Sequence, residues 1–133
     1  MINLNIKEED AAKIVAKFNF KKLNGLIPCI AQEASTGQVL MVGFQNEEAL
    51  TKTLETGIVH YYSRTRQELW KKGGTSGHVQ NVIELWGDCD LDTVLVKVNQ
   101  NGRACHVKGQ YSCFFTRFDE NGEHVLDPDE NLM

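Results

Sequence analysis

Val94, Val96 and Val98 recur at every second position, and Asn101-Gly102 follows almost at once. Strand side chains point to opposite faces in turn, so this run predicts a strand with one apolar face. Asn-Gly readily takes the positive φ values of a tight hairpin turn, which predicts a return strand over Ala104 to Val107. Most of the chain repeats this grammar of short runs and tight turns. Leu26 to Gln32, with Pro28 near its start, and Val39 to Gln45 flank the turn residues Ser35-Thr36-Gly37 and predict a hairpin. Ile58 to Arg64 and Ser112 to Phe118 read as further strands. Val79 to Trp86 reads as another, with Val79, Ile83 and Leu85 on one face. Two segments carry helical spacing instead. Ala11, Ile14, Val15 and Phe18 define an amphipathic helix over Lys7 to Phe18. Asn46 is a good N-cap, Glu47 and Glu48 favour the positive end of a helix dipole, and Gly57 sits where a C-cap glycine belongs. These signals bound a helix from Glu47 to about Thr56. Arg66 to Gly77 reads as a polar loop, and the acidic tail after Asp119 as loosely held. About seven strands and two helices give an α+β fold with mostly antiparallel pairing.

The 133 residues suit one domain over 1–133. With 41% hydrophobic and 24% charged residues, the chain has the means to build a core. A formal net charge of -4 lacks the basic field expected of a nucleic-acid binder, yet leaves room for a local cationic pocket. No apolar run approaches the roughly 20 residues that cross a bilayer, and Met1 to Asp10 has no signal-peptide character. A cytoplasmic protein is expected. Thiols stay reduced there, so the four cysteines point to metal or catalysis before disulfides.

Asp88-Cys89-Asp90-Leu91-Asp92 gathers three carboxylates in five residues. Such a cluster calls for a cation or for full solvation. In an extended segment the three aspartates face one way and Cys89 the other, which separates a hard oxygen site from a soft sulfur site. An EF-hand is excluded, because the glycine and glutamate positions counted from Asp88 hold Thr93 and Asn99. A solvated acidic turn is the alternative.

Cys89, Cys105 and Cys113 lack the close paired spacing of structural zinc knuckles. Three thiolates leave a fourth tetrahedral position for water, the arrangement of a catalytic zinc. His106 follows Cys105 and is a candidate fourth ligand or a proton-transfer group; extended geometry favours the second. Cys29, in an apolar run, reads as a small core residue. The stretch from His60 to Arg66 and on from Leu69 to His78 is rich in glycine, cations and hydroxyls that suit phosphate. It lacks the Walker A ending. Trp70 and Tyr62 are candidates to stack on a base.

Taken together, several segments resemble the phosphoribosyl-AMP cyclohydrolase family of histidine biosynthesis. They are His60 to Arg64, Leu69-Trp70 with Lys72-Gly73, Thr75-Ser76-Gly77-His78 with Gln80, Asp88-Cys89-Asp90 with Asp92, Ala104-Cys105-His106 and Ser112-Cys113-Phe114-Phe115. The resemblance covers Leu26 to Phe115. It implies hydrolysis of the N1–C6 bond of 1-(5-phosphoribosyl)-AMP. It implies zinc on Cys89, Cys105 and Cys113, and magnesium on Asp88, Asp90 and Asp92. It also implies a homodimer with the active site at the subunit interface and cysteines drawn from both chains. Within that frame His106 is the candidate for proton transfer, and Arg64, Lys72, Gly73, Thr75 and Ser76 are candidates for phosphate and ribose contact. Seven residues separate Cys105 from Cys113 where the family pattern has six, so an extra residue is expected in the loop around Gly109. The fused pyrophosphohydrolase domain of some relatives is not expected. A structural-zinc module without catalysis and a nucleic-acid binder using the basic loop are the two rival readings.

Overall fold

The computed structural model describes residue 4, residues 6–107 and residues 109–131. Lys108, in the loop whose length departs from the family pattern, lies outside the described residues. So do Met1, Ile2, Asn3 and Asn5 of the segment read as lacking a signal peptide, and the last two residues of the tail.

Among the described residues three helices and eight strands appear, in the order α1 (Glu8–Val15), β1 (Ile27–Glu33), β2 (Val39–Gln45), α2 (Glu47–Thr56), β3 (His60–Ser63), β4 (Glu68–Lys71), β5 (Gln80–Gly87), β6 (Val94–Gln100), β7 (Thr116–Asp119), β8 (Gly122–Val125) and α3 (Pro128–Asn131). The α+β expectation stands. No helix among the described residues is long and apolar enough to cross a membrane.

A four-stranded sheet in the order β2-β1-β6-β5 forms the frame. β1 pairs antiparallel with β2 and β5 with β6, while β1 and β6 run parallel with Cys29 opposite Val94. Both central strands bury every second residue. Ile27, Cys29 and Ala31 on β1 and Val94, Val96 and Val98 on β6 are closed to solvent. Each fully buried valine contributes roughly 1.5 to 3 kcal/mol. Against this face pack Ala11 and Val15 of α1, Leu50 and Leu54 of α2, and Val59 and Tyr61. Cys29 is thus a core residue, as expected. Tyr61 lies flat beneath β2, where any side chain at Gly43 would meet its ring at 2.5 Å.

Local chemistry accounts for the helix bounds. Asn46 Oδ1 accepts the Ala49 N–H at 2.8 Å, and Gly57, at φ 72°, closes α2 by donating to Thr53 O. α1 stops at Val15, short of Phe18, which packs partly buried against the core from beyond the helix.

Five local expectations are corrected. β5 carries a register shift at Ile83, so the buried residues before it are Gln80 and Val82, and Leu85 reaches the core only after the shift. A single alternating face over Val79, Ile83 and Leu85 does not exist, because a bulge adds one residue to the strand. Arg66 to Gly77 is not all loop, since Glu68–Lys71 pairs with β3. Asn101-Gly102 turns the chain, but Ala104 to Val107 forms no strand. The strand read over Ser112 to Phe118 begins only at Thr116, and the acidic tail folds into the β7–β8 hairpin and the single turn of α3.

Candidate active site

The β3–β4 ribbon sets His60 opposite Lys71 and Tyr61 opposite Trp70. Trp70 stacks on Tyr61 with centroids 5.0 Å apart, and Tyr61 donates its hydroxyl to Gln80 Oε1 at 2.7 Å. The ribbon therefore hangs on the core and delivers the glycine loop, residues 72–79, to a fixed place. Lys72 N–H donates to Val59 O, and Gly77 N–H to Gly73 O at 2.9 Å. Gly73, at φ 79°, is the residue the turn most needs. A Cβ there would lie 2.4 Å from the backbone of His78, besides the cost of the left-handed conformation. Asn101 ties the loop to the end of β6, its side chain donating to Gly77 O and its N–H to Val79 O.

Between this loop and residues 103–107 with Gly109 lies a cavity of about 690 Å³. Four of the expected contact residues line it, namely Lys72, Gly73, Thr75 and Ser76, and so do Cys105 and His106. Arg64 does not. Its guanidinium sits 4.1 Å over the Phe44 ring. Residues that the sequence reading did not single out as contacts also line the cavity: Arg66, Lys71, His78 and Arg103. Arg66 and Lys71 stand within the basic stretch, and their charge was a usable signal. Arg103 had only its position between the Asn-Gly turn and Cys105.

Lys72 turns its ammonium toward the cysteine loop, where it donates to Ala104 O. Burial pushes its pKa down, opposed by the thiols of Cys113 and Cys105. Those two thiols are neighbours, since burial first and then Cys105 push the Cys113 thiol up to about 11. The Cys113 residue itself is exposed. Hydrogen bonds to β2 hold the loop, from Cys113 N–H to Leu40 O at 2.7 Å and from Ser112 Oγ to Val39 O at 2.8 Å and Leu40 O at 3.3 Å.

Cys89 is elsewhere. It is exposed in the turn between β5 and β6, at the start of β6, whereas the Cys105 loop follows the end of that strand. Six strand steps separate the two ends by roughly 20 Å. Among the described residues only the three aspartates form a cluster of metal-binding geometry, and no three thiols converge within the chain.

The Asp88 to Asp92 segment is a turn, not the extended segment expected. Asp88 Oδ1 accepts the N–H groups of Asp92 and Thr93 at 3.0 and 3.2 Å, and Leu91 takes φ 55°. Alternation therefore does not align the carboxylates. The curl of the turn does, with one oxygen from each of Asp88, Asp90 and Asp92 within 4.8 Å of the others. Lys22 Nζ provides countercharge at 2.8 Å from Asp90 and 2.6 Å from Asp92. It is the first cause that holds the Asp92 carboxyl down to about 2. By donor type, the carboxylate oxygens fit magnesium and the thiols fit zinc.

The family model of phosphoribosyl-AMP cyclohydrolase matches residues 41–115. The chain belongs to the phosphoribosyl-AMP cyclohydrolase family. A phosphoribosyl-AMP cyclohydrolase of Methanococcoides burtonii is 56% identical over 107 residues, covering 79% of this chain and 88% of that protein. One of Haloquadratum walsbyi is 50% identical over 123 residues, covering 91% and 90%. One of Streptococcus thermophilus is 53% identical over 106 residues, covering 79% and 94%. The cyclohydrolase match runs from β2 to just beyond Cys113, so it takes in the glycine loop, the acidic turn and the thiol loop. In this cyclohydrolase-family chain, the cavity unites cations, a glycine loop and the Cys105 thiol, with Cys113 beside Cys105, a set that can serve an anionic ligand beside a soft metal.

Proposed function

We propose that the protein hydrolyses 1-(5-phosphoribosyl)-AMP, opening the purine ring at N1–C6 in histidine biosynthesis. The observation that carries this reading is the juxtaposition of a cationic, glycine-lined cavity with the paired thiols of Cys105 and Cys113. Water adds at C6 and the N1–C6 bond breaks. N1 keeps its ribosyl group and leaves as the formimino nitrogen, while C6 with its exocyclic amine becomes a carboxamide.

In this reading Cys105 and Cys113 of one protomer hold zinc together with Cys89 of a second copy. The roughly 20 Å of β6 between them within a chain supports sharing across a homodimer, with the site at the subunit interface. Zinc, when bound, supplies the Lewis acidity that makes a water nucleophilic near neutral pH. His106 lines the cavity one residue from Cys105 and is assigned proton transfer with the leaving N1. Thr75, Ser76 and the backbone of Gly73 receive phosphate, with Lys72 balancing charge between phosphate and thiolates. Arg64 is assigned ribose or phosphate contact in the assembled dimer. Asp88, Asp90 and Asp92 hold magnesium. A cytoplasmic location belongs to the same proposal.

Turnover of phosphoribosyl-AMP by purified protein tests it. Activity is expected to fall with a chelator and return with added zinc. Absence of turnover in protein loaded with zinc and magnesium overturns the proposal.

A further inference from the structure

The cavity gathers Arg66, Lys71, Lys72 and Arg103 against Glu68, the single lining carboxylate among the described residues. The chain as a whole carries a formal net charge of -4. Collecting like charges against the sign of the whole molecule costs repulsion, which an anionic ligand relieves.

The four cations are not equivalent. Arg66 Nε lies 3.5 Å from Glu68 Oε1. Lys72 Nζ is engaged with Ala104 O and lies 5.7 Å from the Trp70 ring centroid. Lys71 is an exposed ammonium on a flexible stem. Arg103 is half-buried and stands on the other lining segment, where its Nη1 donates to Gly109 O. None of the ion pairs among the described residues includes Arg103. A guanidinium presents five N–H donors in a planar fork, so one bond to a carbonyl leaves most of the fork free. The same bond restrains the side chain before a ligand arrives, which lowers the ordering cost of binding.

The substrate of the proposed reaction carries phosphates at the far ends of two ribosyl arms. In that reading Gly73, Thr75 and Ser76 receive one of the two, so the other needs a second anchor. We infer that Arg103 anchors the second phosphate, the one the glycine loop does not hold. The inference rests on the proposed cyclohydrolase reading, and it makes Arg103 the residue by which the site demands two phosphates. A planar fork matches phosphate oxygens in pairs, which an ammonium cannot do.

The test compares Arg103→Met and Arg103→Lys with the unaltered protein in steady-state turnover of phosphoribosyl-AMP, with zinc content per subunit measured alongside. Arg103→Met is expected to raise KM about tenfold or more, with kcat within about twofold and zinc content unchanged, the signature of lost uniform binding. Arg103→Lys recovers part of the loss, because charge returns without the fork. An unchanged KM overturns the inference. So does a joint fall of kcat and zinc content at constant KM, which makes Arg103 only a prop for the Gly109 loop. Failure of the unaltered protein to turn over substrate sinks the proposed function instead. Calorimetric titration with phosphoribosyl-AMP itself, which such a protein leaves intact, then decides on Arg103. About tenfold weaker binding to Arg103→Met supports the anchor, and equal binding overturns it.

Discussion

His60 sits where three elements meet, with its N–H donating to Thr53 Oγ1 at 2.9 Å and its Nδ1 2.8 Å from Ile58 O. Burial pushes its imidazole pKa below the ordinary value, and the Lys52 and Lys71 ammoniums add to that against the pull of Ile58 O. A base whose pKa is lower when folded takes up protons more readily when unfolded. Its contribution to stability is therefore complete above the unfolded pKa, about 6.5, and is lost as pH falls below it. The urea midpoint is expected to drop between about pH 7.5 and about pH 5.5, and His60→Gln should flatten that drop. Identical pH profiles for the two proteins would place the acid sensitivity in other groups. Nothing in the residue string marks His60 for this role. Its neighbour Tyr61 in the sequence is wholly buried, but only the docking of the ribbon on α2 buries His60 too.

At the scale of elements, α2 was the most legible part of the chain. Its start and stop are written in side chains that bond to the backbone a few residues away. Asn46→Ala removes the acceptor for the Ala49 N–H. It should cost about 1 kcal/mol, seen as a lower urea midpoint at unchanged slope. A midpoint within error of the unaltered protein would mean that packing alone sets the helix start. β5 was less legible. A bulge at Ile83 reverses which residues face the core, and periodicity cannot anticipate an inserted residue. β4 hid in a basic, glycine-rich stretch because its partner β3 supplies the pairing that its own composition does not signal. The acidic turn shows the converse. Clustering of the aspartates was legible, yet the assumed extended geometry was wrong, because the bonds to Asp88 Oδ1 fold the segment back on itself.

For the whole molecule, β6 acts as a spacer that fixes where the thiols stand. Cys89 precedes it and Cys105 follows it. Under the proposed shared site, Cys89→Ser and Cys105→Ser are each inactive alone. Mixed under conditions that exchange subunits, they should regain about a quarter of the unaltered activity, since half the dimers are mixed and each holds one intact site. Mixtures that stay inactive would require the three cysteines to act within one chain or not at all. The sequence by itself determined the things that depend on near neighbours: the strand periodicity, the caps of α2, the donor chemistry of the aspartates and cysteines, and the ordered motifs that carry the family resemblance. Only the tertiary structure decided which distant residues share a cavity. It paired β1 with β6 in parallel, joined Cys105 to Cys113 while leaving Cys89 apart, and set Arg103 beside the glycine loop. The physical reason is that such meetings are made by burying the common core, and no local spacing along the chain encodes them.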